Sequence, residues 1–358
     1  MDELEGYLRQ GEPGKAEKAR AWRAAIGLQQ VDGLKPSEYL ISTAKQNVEA
    51  DITIEEVKQR IDSYYIEHPA QPDAYRTEEA DKVSARIAEI LGEQTFTFSS
   101  TGYIGIHRRL FQGTYPFAGR IRDYNITKPE WVLNGETVLY ASADSLKAAL
   151  DHDIEQEKKF SYKGLDPQGV VEHLAQFVSN LWQIHPFGEG NTRTTAVFLM
   201  KYLHKLGYKA VNNDLFAAHS WYFRNALVRA NYEHVGAAIH KTDRLLFRFL
   251  SNLLLNERHE LSNRALHVHF VDPRSAPVDP VKFENDLVTA QNDLVNDPVK
   301  LSILHHLMLD RKANYAELAE RTGCSSATIK RHLQLLKRAG IIERIGSDKT
   351  GHWKINQP

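Results

Sequence analysis

Residues 185–193 read His185-Pro-Phe-Gly-Glu-Gly-Asn-Thr-Arg193, which gathers an imidazole, a carboxylate, two glycines, an amide, a hydroxyl and a guanidinium into nine positions. His185, with an ordinary pKa near ~6.5, is the group in this set that can act as a general base at neutral pH. Glu189 offers the hard oxygen that Mg²⁺ takes when it bridges a protein carboxylate and phosphates. Gly188 and Gly190 let the backbone come close to an anion. Asn191 can donate from its amide, Thr192 brings a hydroxyl to a helix start, and Arg193 can grip a phosphate with two parallel N–H bonds. Each of these residues taken singly has an ordinary role as a cap, a turn or a solvated side chain. Their joint placement points to phosphate chemistry.

That chemistry depends on the elements at either end. Residues 171–184 put Val171, Leu174, Val178 and Leu181 on one helical face, so a buried helix should run up to His185 and stop at Pro186. From about Thr192, Ala196, Val197, Met200 and Leu203 continue at helical spacing to Gly207. The unpaired N–H groups and positive dipole end of that second helix then face the loop, as an anion site requires.

The loop resembles the signature of the Fic family, HPFx[DE]GNGRxxR, and the likeness extends over roughly residues 40–260. The resemblance implies a mainly α, Fic-type helical bundle with a β-hairpin flap ahead of the motif. It also implies protein adenylylation: AMP moves from ATP to a Ser, Thr or Tyr hydroxyl of a target protein or of the chain itself, with Mg²⁺ on Glu189 and His185 as base. Residues 131–140 place β-formers around Asn134-Gly135, a hairpin signal, and would be the flap, with Val132 and Leu133 in it. Residues 113–122 resemble the approach to the flap. Residues 221–227 resemble the helix that walls the adenine pocket, with Tyr222 and Asn225 as contacts.

Two positions depart from the pattern. Thr192 stands where the family has its third-position glycine, and Ala196 where it has a second arginine, which in the family holds the γ-phosphate and pairs with an inhibitory glutamate. The donor is therefore left open between ATP and other nucleotides. Residues 43–57 resemble the inhibitory helix with Glu49 as its glutamate, although Lys45 and Ala50 replace the usual Ser/Thr and Gly/Asn; Glu67 fits the spacing before His68.

Residues 1–95 read as a helical leader, 96–262 as the catalytic core, and 263–298, with Pro273, Pro277 and Pro280, as a linker. Residues 299–358 read as a small winged helix-turn-helix domain. Ile329, Leu333 and Leu336 should face inward and Lys330, Gln334 and Lys337 outward, with wing strands at 341–345 and 352–355 around Gly346 and Gly351. The net charge of −1 conceals a basic end: residues 297–358 hold 11 Lys and Arg against 6 Asp and Glu. DNA is a candidate partner for that domain, as is another protein.

A composition of 42% hydrophobic and 25% charged residues is that of a globular protein. The acidic start and the absence of an apolar run near ~20 residues predict a cytoplasmic protein with no membrane segment. The single Cys324 excludes an internal disulfide and a cysteine-based zinc site. No P-loop pattern occurs. His259, His267 and His269 read as surface residues. The principal rival to catalysis is a transcriptional regulator whose Fic core binds nucleotide without reacting, and a homo-oligomer is compatible with either reading.

Overall fold

Helix starts in this chain are marked by side chains that accept the first orphan N–H groups. Ser37 accepts from the amide of Leu40, Thr53 and Glu56 form a reciprocal capping box, Ser99 accepts from Gly102, and Asp166 accepts from Gly169 ahead of Pro167. The computed structural model describes residues 2–10, 12–68, 75–208, 214–237 and 239–270. In the C-terminal region it describes 303–304, 306–307, 313–322, 326–338, 341–345 and 352–355. The chain divides into two units, Met1–Asp272 and Pro273–Pro358, each with its own apolar core.

The first unit is built from α1 (Asp2–Gln10), α2 (Pro13–Gly27), α3 (Glu38–Val48), α4 (Ile54–Glu67), α5 (Tyr75–Gly92), α6 (Ser100–Phe111), α7 (Leu146–Lys159), α8 (Pro167–Ile184), α9 (Asn191–Lys205), α10 (Asp214–Ala230) and α11 (Arg244–Leu255). The helix–loop–helix expected around residue 185 is α8 and α9. α9 is buried along almost its whole length and α8 along one face up to Ile184, which holds the intervening loop between two fixed ends.

The expected boundary at residue 95 is not a domain boundary. Leu28, Leu40, Val57 and Val83 share one core with Leu174, Val197 and Phe223, so leader and core are one packed body. The close approach of α2 to α10 shows why. A Cβ on Gly27 would lie 2.2 Å from the Cα of Ala217, and Ser220 donates to the carbonyl of Gly27 at 2.8 Å. The expected linker also starts later than 263: Leu266 is fully buried, Asn263 accepts from Asn225, and the amide of Val268 donates to the carbonyl of Val132 at 2.9 Å. Residues 271–300, with the three prolines, lie outside the described residues.

The hairpin at 131–140 does not form as a ladder. Asn134 and Gly135 both take positive φ, 57° and 88°, as the turn signal requires. Trp131–Leu133, however, winds into a 3-10 turn, and no strand is present between residues 124 and 141. Trp-Val-Leu is a continuous apolar run, and Val132 and Leu133 are both buried. A flat ribbon would turn one of the two to solvent.

In the second unit α12 (Tyr315–Thr322) and α13 (Ser326–Arg338) precede two antiparallel strands, β1 (Ile342–Ile345) and β2 (His352–Ile355), paired from Ile342–Ile355 to Ile345–His352. Ile329, Leu333 and Leu336 are buried, while Lys330, Gln334 and Lys337 are exposed. Gly346 and Gly351 of the wing lie outside the described residues. Among the described residues no helix is long and apolar enough to cross a membrane.

Since leader and core share one apolar body, Gly27→Ala should lower the stability of the whole first unit by about 3 kcal/mol or more, the upper range for an overpacked contact against backbone. Chemical denaturation followed by intrinsic fluorescence should show one shifted transition, with no separate early melting of the leader.

Candidate nucleotide site

His185 closes α8 in the left-handed region, φ 50° and ψ 56°, which turns the chain sharply into Pro186. The ring is 4% exposed, lies 4.2 Å from the Tyr140 ring and 5.2 Å from that of Trp182 between centroids, and its Nδ1 has no hydrogen-bond partner. Burial, with the positive charges of Lys128, Arg224 and Arg122 adding to it, pushes its pKa well below 6.5. The ring is therefore neutral, as a base must be.

The loop that follows is held from several directions. Arg122 donates through Nε to the carbonyl of His185 at 2.9 Å, through Nη2 to that of Ala141 at 2.6 Å, and through Nη1 to that of Tyr124. His107 accepts at Nδ1 from the amide of Gly119 (2.8 Å). Its Nε2 is therefore the protonated nitrogen, and it donates to the carbonyl of Glu189 at 3.0 Å. Burial lowers the pKa of His107 to about 4, so that tautomer persists at neutral pH. The ring stacks on Phe187 at 3.7 Å. Gly190 has φ 78°, and a Cβ there would fall 2.4 Å from the Phe111 ring, so both conformation and space demand glycine.

Asn191 begins α9, but its amide is committed to the loop: Oδ1 accepts from the amide of Phe187 at 3.0 Å and Nδ2 donates to the same residue's carbonyl at 2.7 Å. Thr192 accepts from the Trp182 indole at 3.0 Å, so the residue in place of the family glycine stitches α9 to α8. The first N–H groups of α9 have no intrahelical acceptor, so they are the donors this loop leaves open to an anion.

Arg193 does not face the loop. It is 1% exposed, and each of its three nitrogens has a partner. Nε meets Asp32 at 2.7 Å, Nη1 donates to Gln29 at 3.0 Å, and Nη2 donates to Glu79 at 2.6 Å and to the Tyr115 hydroxyl at 3.1 Å. The guanidinium carbon lies 4.7 Å from the centre of the Phe111 ring. Ala196, on the next turn, is fully buried among apolar side chains.

Glu49 is corrected by its own contacts. Its carboxylate pairs with Lys15 at 2.7 Å and accepts from Tyr7, and the position of the arginine with which the family's inhibitory glutamate would pair is here Ala196. A spacing pattern cannot report which way a helix end points, and residue 49 here points toward α1 and α2. Tyr222 and Asn225 also differ from expectation. Tyr222 is buried against Phe249 with its hydroxyl on the carbonyl of Leu245, and Asn225 donates to Asn263, so both belong to the packing of α10. Val132 and Leu133 are core residues. The exposed apolar side chains of that region are Tyr124 and Leu139, the latter 83% exposed. His267 is half-buried and packs on Trp131, while His269 is exposed.

Glu189 remains accessible, its side chain 53% exposed, and Oε2 meets Lys128 Nζ at 2.8 Å. Among the described residues no three His, Cys, Asp or Glu side chains gather as a metal cage. A single open carboxylate at an anion site suits Mg²⁺, which keeps waters and takes the rest of its ligands from substrate phosphates. Glu130 is 1% exposed and paired with Arg224 at 2.7 and 2.9 Å, and Tyr140, whose ring packs on His185, donates to it from its hydroxyl at 3.4 Å. Lys128, Glu130, Tyr140, Arg224, Asp32, Glu79 and His107 were not apparent in the sequence. Arg224 lies inside the segment recognised at 221–227, but only its pairing with Glu130 distinguishes it from a solvated arginine.

The motif that organises this site has known counterparts. Residues 97–203 match the Fic/DOC family, and residues 295–345 match a helix-turn-helix domain. The chain therefore carries a Fic/DOC-family domain, followed by a helix-turn-helix domain. A 153-residue stretch is 28% identical to the probable protein adenylyltransferase y4lH of Sinorhizobium fredii, covering 40% of this chain and 72% of that one. Another of 103 residues is 28% identical to the protein adenylyltransferase VbhT of Bartonella schoenbuchensis, covering 29% of this chain and 20% of that one. The match thus spans about a fifth of the second relative's length. Among solved structures, the N-terminal FIC domain of Bep8 from Bartonella sp. 1-1C aligns with a TM-score of 0.41 at 18% identity, covering 52% of this chain and 88% of that one.

Arg193→Ala would leave Asp32 and Glu79 without their shared cation in a buried setting. About 3 kcal/mol of stability should be lost, the lower range for breaking a buried ion pair because Asp32 is partly exposed. A thermal melt of Arg193→Lys should show little recovery, since an ammonium cannot reach the four partners that the guanidinium fork meets.

Proposed function

We propose that this chain is a protein adenylyltransferase, a cytoplasmic enzyme that transfers AMP from ATP to a Ser, Thr or Tyr hydroxyl of a protein. The observation that carries the reading is His185: a buried, neutral imidazole with an unpartnered nitrogen, fixed at the head of a loop that ends on the N-terminus of α9. The names of the relatives support it independently.

In this reading the amides of 188–192 hold the oxygens of the α-phosphate, where negative charge builds as the attacking oxygen arrives. His185 takes the proton of the target hydroxyl. That oxygen forms the new bond to phosphorus, and pyrophosphate leaves with the bond electrons. Mg²⁺, held by Glu189 and the phosphates, would supply charge neutralisation. Arg122 and His107 act one step removed, fixing the loop carbonyls so that the amides keep their direction. Asn191 acts in the same way. The second unit is proposed to bind duplex DNA through the exposed face of α13, with Lys330, Gln334 and Lys337 toward the major groove.

Incubation of the full chain with labelled ATP and Mg²⁺ should label a protein hydroxyl, and His185→Ala should reduce labelling by at least a thousandfold with ATP still bound. Equal labelling by the variant would remove His185 from the base role. Parallel reactions with GTP, UTP and CTP identify the donor, and labelling from another nucleotide in preference to ATP would replace AMP in the assignment.

Burial holds the free-enzyme pKa of His185 well below its ordinary value, so the basic form already predominates at neutral pH. A kcat/KM profile, which reports the free enzyme, should therefore be level between about pH 6 and 8 and fall only in acid. A rise centred near ~6.5 would mean that the ring is solvated when it acts.

A further inference from the structure

In the proposed site a nucleoside triphosphate brings several negative charges to the α9 N-terminus, where the cations that the described contacts place are Arg193 within the motif and the three whose charge reaches His185, namely Lys128, Arg224 and Arg122. Three of them are committed. Arg193 is enclosed by Asp32, Gln29, Glu79 and Tyr115. Arg122 has all three nitrogens on backbone carbonyls that shape the loop. Arg224 grips Glu130 with two bonds, and since that carboxylate is 1% exposed, releasing the arginine would strand a buried charge.

Lys128 is placed differently. The ion pair the structure shows for it is with Glu189, 2.8 Å from Nζ to Oε2, and both side chains reach solvent. Exchange of such a pair costs little. Glu189 is also the carboxylate that suits Mg²⁺, so arrival of the metal with the nucleotide removes the partner of Lys128 at the moment phosphates appear. The backbone of Lys128 is fixed meanwhile, because its amide donates to the Thr137 hydroxyl at 3.0 Å. What moves is a flexible four-carbon stem with three donors on its head.

We infer that Lys128 is a phosphate-binding residue of this site, stored on Glu189 in the free protein and transferred to the nucleotide's phosphates when a divalent cation takes that carboxylate. The inference rests on the nucleotide reading proposed above and adds to it a group that recognises the polyphosphate rather than the nucleoside.

The test is equilibrium binding to the full chain, scored without turnover. In Mg²⁺, Lys128→Ala should weaken ATP about tenfold or more, as loss of a charge-assisted contact does, and leave adenosine unchanged; Lys128→Arg should stay within about threefold of the parent. Without divalent cations, Glu189→Gln should tighten ATP several-fold by freeing Lys128, and the gain should vanish in the Lys128→Ala/Glu189→Gln double variant. ATP affinity unchanged in Lys128→Ala, equal losses for ATP and adenosine, or a gain that survives in the double variant would each overturn the role of Lys128 while leaving the nucleotide site intact. A parent protein that binds no ATP would overturn the site and this inference together.

Discussion

A guanidinium at 1% exposure is tolerated only where acceptors meet its donors, and the partners of Arg193 come from three separate stretches of chain. Gln29 and Asp32 lie just after α2, Glu79 on α5, and Tyr115 beyond α6. All of these must be in place before the first turn of α9 is tolerable. The leader is therefore not an appendage to the core. Its position supplies the partners that the first turn of α9 requires, and the shared apolar body of the first unit is the packing counterpart of that electrostatic constraint.

What was legible in the sequence is what nearest neighbours decide. The two helices flanking residue 185, the inward faces of the C-terminal domain and its wing strands follow from periodicity and capping, which are local properties. The turn at Asn134-Gly135 was legible too, since both residues do take positive φ. The ladder expected on either side was not, because Val132 and Leu133 are both claimed by the core, a tertiary demand that overrides β-propensity. The placement of Glu49 failed for a related reason. A glutamate at the right spacing satisfies a pattern, but its carboxylate is taken by Lys15 and Tyr7.

The site itself was legible as an inventory and not as a set of commitments. Residue types indicate which donors exist, and only the folded chain shows which of them already have acceptors. Asn191 and Arg193 read as phosphate ligands and prove to be internal fasteners, one closing the loop on Phe187, the other closing the leader on α9. Conversely Lys128, a lone lysine on an irregular segment, carries no signal until its ion pair with Glu189 is seen. The gap follows from distance along the chain: Arg193 and Gln29 are 164 residues apart, and Arg224 and Glu130 are 94 apart.

With the arginines committed, the direction of His185 becomes the main degree of order that chemistry requires. Left-handed backbone at a non-glycine residue is strained and persists only where the surroundings impose it. Here Pro186 prevents α8 from continuing, Arg122 holds the carbonyl of His185, and the Tyr140 and Trp182 rings bracket the imidazole. The same enclosure leaves Nδ1 buried and unpaired, a cost that a folded protein rarely retains without use. In the proposed transfer, a ring kept dry, neutral and pre-aimed would have its missing hydrogen bond completed by the target hydroxyl, so part of the free energy lost on folding would return when substrate binds.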